Sequence, residues 1–443
     1  MTARGLIVAG TATGSGKTVL TSALVRALAK SGRTVAAFKT GPDYLDSGHL
    51  SHAAGRAAIN LDSWAMDRAT LGALLVQLGE NADLVIGEGV MGLFDGARGP
   101  TRDGFVPGST AELAHLLNLP VVLVLDARGM GQSIGALARG FATHDPRVTP
   151  AGVVLNRVTS PAHGAFLADA LAEALPGTPV LGAVPRAEGM DVPSRHLGLV
   201  QAREIGDLDA RLNRAAEAIS AALDLDRLAA LTRPLPRATD VHPKLSPPLG
   251  QRIAVAQDDA FAFVYPALLA HWRTAGAEVR FFAPLADESP AADADAVYLP
   301  GGYPELHAGR LANAARFRAG LHAAAARGAC VFGECGGYMT LGRTLRDSDG
   351  HVHAMAGLLP LVCDFATRKL HLGYRNARTL ISSPLGNSGT VFAGHEFHYA
   401  TVADEGAGAP LFALTDAAGN QVGSSGRVDG RVMGSFVHLI AQR

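Results

Sequence analysis

Gly5-Leu6-Ile7-Val8-Ala9-Gly10-Thr11-Ala12-Thr13-Gly14-Ser15-Gly16-Lys17-Thr18 decides the fold of the first half of this chain. Residues 5–9 are an apolar run of strand length. A glycine-rich turn follows, and residues 18–30 form an Ala/Leu-rich helical stretch that ends near Gly32. A strand, a Gly-Lys-Thr loop and a helix in that order turn backbone N–H groups toward phosphate oxygens, and the helix N-terminus adds favourable partial charge. Gly14 and Gly16 let the backbone close on the phosphates. Lys17 is placed to hold the outer phosphates and Thr18 a Mg²⁺ ion. Five residues separate Gly10 from Gly16, one more than the common spacing of such loops.

Outward from this loop, short Val/Ile/Leu runs alternate with helical stretches. Strands are expected at residues 34–39, 84–88, 120–126, 152–156 and 180–184. Runs this apolar have both faces covered, as in a parallel α/β sheet. Residues 234–248 carry five prolines and little apolar periodicity, which reads as a linker. The α/β rhythm then restarts, with strands expected at 252–256, 278–282, 296–299 and 330–333. The expected fold is α/β in two domains, each a mostly parallel sheet with helices on both faces. The domains are 1–232 and 251–443, joined by a proline-rich linker at 233–250.

The chain has 443 residues and a formal net charge of -1, from 39 basic and 40 acidic side chains. Without a basic excess, neither nucleic acid nor a membrane surface is the expected partner. Three cysteines make no disulfide framework. No signal-like leader precedes the glycine-rich loop, and no apolar stretch approaches the ~18 residues of a membrane span. These features point to a cytoplasmic protein working on small molecules, and a homodimer is compatible with them.

Charged groups cluster where strands of such sheets end, which is where their ligands bind. Lys39 ends the second strand and can neutralise a phosphoryl group in transfer. Asp43 and Asp46, in Gly41-Pro42-Asp43-Tyr44-Leu45-Asp46, can hold Mg²⁺ or orient a substrate; alone, that context is also an ordinary turn signal. Glu88 ends another strand, where a second Mg²⁺ ligand belongs. Asp95, in a glycine-flanked loop, can reach a reacting carboxylate. Asn156 follows a further strand and suits either an adenine edge or a strand-terminal turn.

The second half has a different chemistry. Phe332-Gly333-Glu334-Cys335-Gly336-Gly337 predicts a strand, a sharp turn and a helix around Cys335. Such an elbow lifts a nucleophile clear of the sheet and aims backbone N–H groups, Gly336 among them, at an oxyanion. The helix N-terminus is expected to lower the thiol pKa below about 8.5. Gly301 and Gly302, after another strand, are further oxyanion donors. His438 is the expected base, with His395 and His398 as competitors; Cys330 and Cys363 are expected to be structural.

The longer phosphate-loop spacing resembles dethiobiotin synthetase and its relatives, which form an acyl phosphate from a carboxylate. GPDYLDSGH and EGVMGLFDG narrow the resemblance to the cobyrinic acid a,c-diamide synthase family, which includes the cobyrinate, hydrogenobyrinate and nickel-sirohydrochlorin enzymes. Residues 251–443 resemble class I glutamine amidotransferase domains of the cobyrinate/cobyric acid type. The resemblance implies ATP- and glutamine-dependent amidation of the a- and c-acetates of a corrin-type macrocycle. By motif, Lys17, Thr18, Asp46 and Glu88 serve ATP and Mg²⁺. Asp43, Tyr44, Leu45 and Asp95 serve the macrocycle carboxylates and the intermediate, and Cys335 with His438 serves glutamine. The wider class has a Glu two residues after the catalytic His, where this chain has Ile440. The competing readings are an amidotransferase for another tetrapyrrole acid, such as cobyric acid synthase or a nickel-sirohydrochlorin a,c-diamide synthase, a partitioning-type ATPase switch, and a glutaminase half that only binds a partner.

Overall fold

Strand β1 (Arg4–Gly10) runs through the middle of the first unit, and Leu6, Ile7 and Val8 are wholly buried. Side chains pointing to both faces of a strand can all be buried only when both faces are covered. The computed structural model describes residues 2–186, 194–195, 198–236 and 241–443. It divides into two compact units, Met1–Pro243 and Lys244–Arg443.

In the first unit, β1 is followed by α1 (Lys17–Lys30), β2 (Val35–Thr40), α2 (Tyr44–Ala54), β3 (Ile59–Leu61), α3 (Arg68–Leu78) and β4 (Leu84–Glu88). Then come α4 (Thr110–Leu117), β5 (Val121–Asp126), α5 (Ser133–Thr143), β6 (Pro150–Val158), α6 (Pro161–Ala174) and β7 (Val180–Pro185). The strand order is β3-β2-β4-β1-β5-β6-β7, parallel throughout. Leu24 and Leu28 of α1 share a core with Leu212, Ala216 and Ile219 of α7 (Leu208–Ala222). Register aligns the strand ends: Glu88 lies opposite Val8 on one side and Lys39 on the other. That alignment gathers the phosphate loop and the charged residues at one edge of the sheet.

Described residues of the proline-rich stretch bond to each unit. Arg233–Pro234 pairs antiparallel with Arg4 and Gly5, which adds an eighth strand to the first sheet. Ser246 accepts a hydrogen bond at its carbonyl from the indole of fully buried Trp272 (3.0 Å).

The second unit is built on a six-stranded sheet in the order Glu278–Phe282, Arg252–Ala256, Ala296–Leu299, Cys330–Glu334, Val432–Ser435, Arg427–Asp429. The first five are parallel and the last is antiparallel. Beyond the expected parallel sheet, a five-stranded antiparallel sheet includes His371–Thr379, Val391–His398 and His438–Gln442. Its strands carry exposed polar positions and short apolar runs, so period-2 alternation is weak in the sequence. No helix among the described residues is long and apolar enough to cross a membrane.

Candidate active sites

The phosphate loop closes because two glycines take a left-handed backbone, Gly14 at φ 83° and Gly16 at φ 86°. Any other residue would be strained there. Gly16 has a second constraint: a Cβ on it would lie 2.4 Å from Asn156 Nδ2. Asn156 donates that amide to the Ser15 carbonyl (2.9 Å), which fastens the loop. Arg157, which the sequence analysis missed, adopts φ 61° and donates to the Gly14 carbonyl (2.7 Å) and to Asp126 (2.8 Å). Gly16, Asn156, Arg157, Arg128 and Pro185 line an open cleft of about 110 Å³ beside the loop.

At the strand ends, Lys39 Nζ lies 2.6 Å from Asp46 Oδ2 and 2.8 Å from Glu88 Oε1. All three side chains are buried or nearly so. Burial alone would lower Lys39, but the two carboxylates outweigh it and hold the ammonium well above its ordinary range. Burial pushes Glu88 up to about 7 against the pull of Lys39. Lys17 donates to the Ala12 carbonyl (2.9 Å); burial and then Lys39 bring it down to about 8. Thr18 donates to Glu88 Oε1 (2.6 Å) and lies 3.4 Å from Asp46 Oδ2.

Thr18, Asp46 and Glu88 are hard oxygen donors, and Glu88 Oε2 is buried without a hydrogen-bond partner. Among the described residues, no group of three His, Cys, Asp or Glu side chains forms a closed metal cage. One or two carboxylates and a hydroxyl, with room for phosphate oxygens, fit Mg²⁺ better than such a cage would.

Asp43 caps α2, accepting from the Leu45 and Asp46 N–H groups at Oδ1 (2.9 and 3.0 Å). Burial and then neighbouring Asp46 raise it to about 6. Tyr44 and Leu45 begin that helix, Leu45 buried and Tyr44 half-buried. Asp95 accepts from the Gly92 N–H (2.9 Å), and the Leu93 N–H donates to the Gly10 carbonyl (2.8 Å). The glycine loop after Glu88 therefore lies against the phosphate loop.

In the second unit, Cys335 stands at the turn between Cys330–Glu334 and the short helix Gly336–Leu341, with φ 48° and ψ -104°. A non-glycine residue persists in that conformation only where its surroundings impose it. The Cys335 N–H donates to the Ser435 carbonyl (2.8 Å), and Gly337 packs so closely that a Cβ on it would lie 1.9 Å from the Leu299 carbonyl oxygen. The Gly336 N–H favours the Cys335 thiolate. A Cβ on Gly336 would lie 3.0 Å from the Gly302 nitrogen, so the 301–302 loop abuts the elbow. A Cβ on Gly301 would lie 2.4 Å from His438 Cε1.

The expectation of a lowered thiol pKa is corrected here. Burial pushes Cys335 well above its ordinary value, and the carboxylates of Glu305, Glu334 and Glu396 push the same way. A helix of six residues carries too little dipole to reverse that. Burial, with His395 and His398, keeps His438 well below its usual value and neutral. His395 stacks on His438 (ring centroids 5.0 Å) and meets the Tyr265 hydroxyl (3.2 Å). His398 stacks on Phe436 (4.0 Å) and bonds the Ala400 carbonyl. Ile440 is buried and apolar. Glu334, also missed in the sequence, is buried beside His438, its Oε2 4.0 Å from Nδ1. Cys330 and Cys363 are buried and free, as structural cysteines would be.

Two family models match this chain. One, described as a CobQ/CobB/MinD/ParA nucleotide binding domain, matches residues 6–200, and the other, described as a CobB/CobQ-like glutamine amidotransferase domain, matches residues 252–443. Among full-length relatives, the hydrogenobyrinate a,c-diamide synthase of Mesorhizobium japonicum is 49% identical over 100% of this chain and 99% of its own. Those of Rhodobacter capsulatus (51%, 99% of each chain) and Brucella anthropi (50%, 99% of this chain and 98% of its own) are equally similar.

Proposed function

The chain belongs to the hydrogenobyrinate a,c-diamide synthase family, and from that premise we propose that it converts the a- and c-acetate carboxylates of hydrogenobyrinic acid to primary amides, using ATP and glutamine, in cobalamin biosynthesis. The observation that carries this reading is the presence of two chemistries on one chain, a phosphate loop with converging charges and a thiol elbow with a buried histidine in the same unit.

In the first unit, the loop N–H groups and Lys17 cradle the nucleotide phosphates. Thr18, Asp46 and Glu88 would hold Mg²⁺, which supplies charge neutralisation during phosphoryl transfer. Lys39 stabilises the charge on the γ-phosphoryl group as a substrate carboxylate oxygen attacks it. Asn156 and Arg157 keep the loop in shape, and the cleft beside them suits the base of the nucleotide. Asp43 and Asp95, with Tyr44 and Leu45, face the substrate and its acyl phosphate.

In the second unit, Cys335 gives its proton to His438 and its thiolate attacks the glutamine carboxamide carbon. Gly336, Gly301 and Gly302 offer backbone donors to the oxyanion. Collapse expels ammonia, which takes the proton from His438, and water hydrolyses the γ-glutamyl thioester to glutamate. The freed ammonia displaces phosphate from the acyl phosphate and leaves the amide. The chemistry needs only small-molecule partners and belongs in the cytoplasm.

Purified protein with hydrogenobyrinic acid, ATP and glutamine should yield product carrying two new amides by mass, with ADP. Cys335→Ala should amidate with ammonia but not with glutamine. Turnover of only a nickel or cobalt macrocycle would move the substrate assignment within the family, and ATP hydrolysis without amide under every condition would favour an ATPase switch.

A further inference from the structure

We propose that Glu334 is the positioning carboxylate of the thiol centre, orienting His438 through Nδ1 where the residue two positions after it, Ile440, cannot. The proposal rests on the glutaminase reading above.

Glu334 ends the Cys330–Glu334 strand, one residue before the nucleophile, and its side chain is buried. Two donors lock it. The Tyr298 hydroxyl donates to Oε2 (2.7 Å), and the Leu439 N–H, adjacent to His438, donates to Oε1 (3.1 Å). The same Oε2 lies 4.0 Å from His438 Nδ1. That is too long for a hydrogen bond in the resting protein, but catalytic hydrogen bonds are often long in a free enzyme and tighten in the substrate complex. A hydrogen on Nδ1 directed at Glu334 leaves the Nε2 lone pair as the base for the Cys335 thiol.

The other carboxylates around the thiol are differently engaged. Glu396 is paired with Arg375 (2.7 Å), and Glu305, buried in the Pro304–Leu306 turn, acts on the Cys335 thiol. His395 and His398 also face His438 and disfavour its protonation, with the Tyr265 hydroxyl behind His395. Glu334, with Oε2 4.0 Å from Nδ1, is positioned to favour the imidazolium as the thiol proton arrives. Burial sets Glu334 at about 7, so its carboxylate form appears in the neutral range where a base is needed.

Glu334→Gln keeps the side-chain volume and an oxygen acceptor, and the Tyr298 hydroxyl can turn to accept from the amide. In the full chain this variant should lower kcat for glutamine hydrolysis by about 100-fold, with KM for glutamine changed by less than about threefold. Its ammonia-driven amidation should match wild type, and the acid limb of the glutaminase pH profile near 7 should disappear. Glu334→Asp should recover a measurable part of the lost rate. Wild-type glutaminase kinetics in Glu334→Gln, or a parallel loss of ammonia-driven turnover, would overturn the assignment. If wild-type protein releases no glutamate from glutamine, or Cys335→Ala still does, the glutaminase reading itself fails and takes this assignment with it.

Discussion

In the first unit an ammonium, Lys39, lies within 2.8 Å of two buried carboxylates, and a second, Lys17, stands in the loop beside them. In the second unit a thiol is surrounded by carboxylates and a histidine that burial keeps neutral. The phosphate centre is charged at rest, as a site must be that receives a polyanion and a divalent cation. The buried thiol keeps its proton until substrate arrives, so no reactive thiolate stands in the free protein. Burial supplies both behaviours: it strengthens ion pairs that are already complete and suppresses charges that are not.

The sharpest way to break this contrast is to remove the central cation. Lys39→Ala leaves Asp46 and Glu88 buried together, and the loss of an ion-pair partner costs about 3–5 kcal/mol of stability. Urea unfolding at pH 8 should show it. The loss should shrink below pH 7, since Glu88, already at about 7, takes a proton and the repulsion goes. A loss independent of pH would mean that packing, not charge, holds this cluster.

Glu334 provides a second pH probe, at the thiol centre. Its folded pKa of about 7 lies above the ordinary 4.5, so the folded chain binds more protons between those values. Stability therefore falls as pH rises from 4.5 to 7, by at most about 3 kcal/mol. Glu334→Gln should unfold at a midpoint that changes less than wild type between pH 5 and pH 8. An unchanged slope would place the carboxylate in contact with water.

A steric probe should have a smaller effect. Gly301→Ala puts a methyl group against the His438 ring and should cost glutamine hydrolysis about 10–100-fold, leaving ammonia-driven amidation alone. Smallest of all, Cys363→Ser should leave glutamine turnover within about twofold of wild type and cost about 1–2 kcal/mol in stability, because it only buries a hydroxyl in place of a thiol. Loss of glutamine turnover in that variant would mean that the elbow cysteine is not the only reactive thiol.

The phosphate loop, Lys39 and Glu88 were legible in the sequence because their positions follow from local rules: a strand, its last residue, a glycine turn. Asp43 was legible too, although its carboxylate is engaged as a helix cap. Arg157 and Glu334 were not. Arg157 matters through the Gly14 carbonyl, 143 residues earlier, and Glu334 through Tyr298 and Leu439, 36 and 105 residues away. No local pattern encodes such partners. The thiol pKa was misjudged because a helix terminus is visible in a sequence and the burial that overrides it is not. The antiparallel strands between His371 and Gln442 were missed because glycine and polar residues interrupt their alternation.

The central claim is that one chain joins glutamine nitrogen to a carboxylate primed by ATP. It is tested most directly by following both atoms at once, with hydrogenobyrinic acid labelled with ¹⁸O in its carboxylates and glutamine labelled with ¹⁵N in its amide. The account predicts one ¹⁸O in the released phosphate and one ¹⁵N in the product for every amide formed. Amide carrying ¹⁵N with phosphate free of ¹⁸O would contradict it.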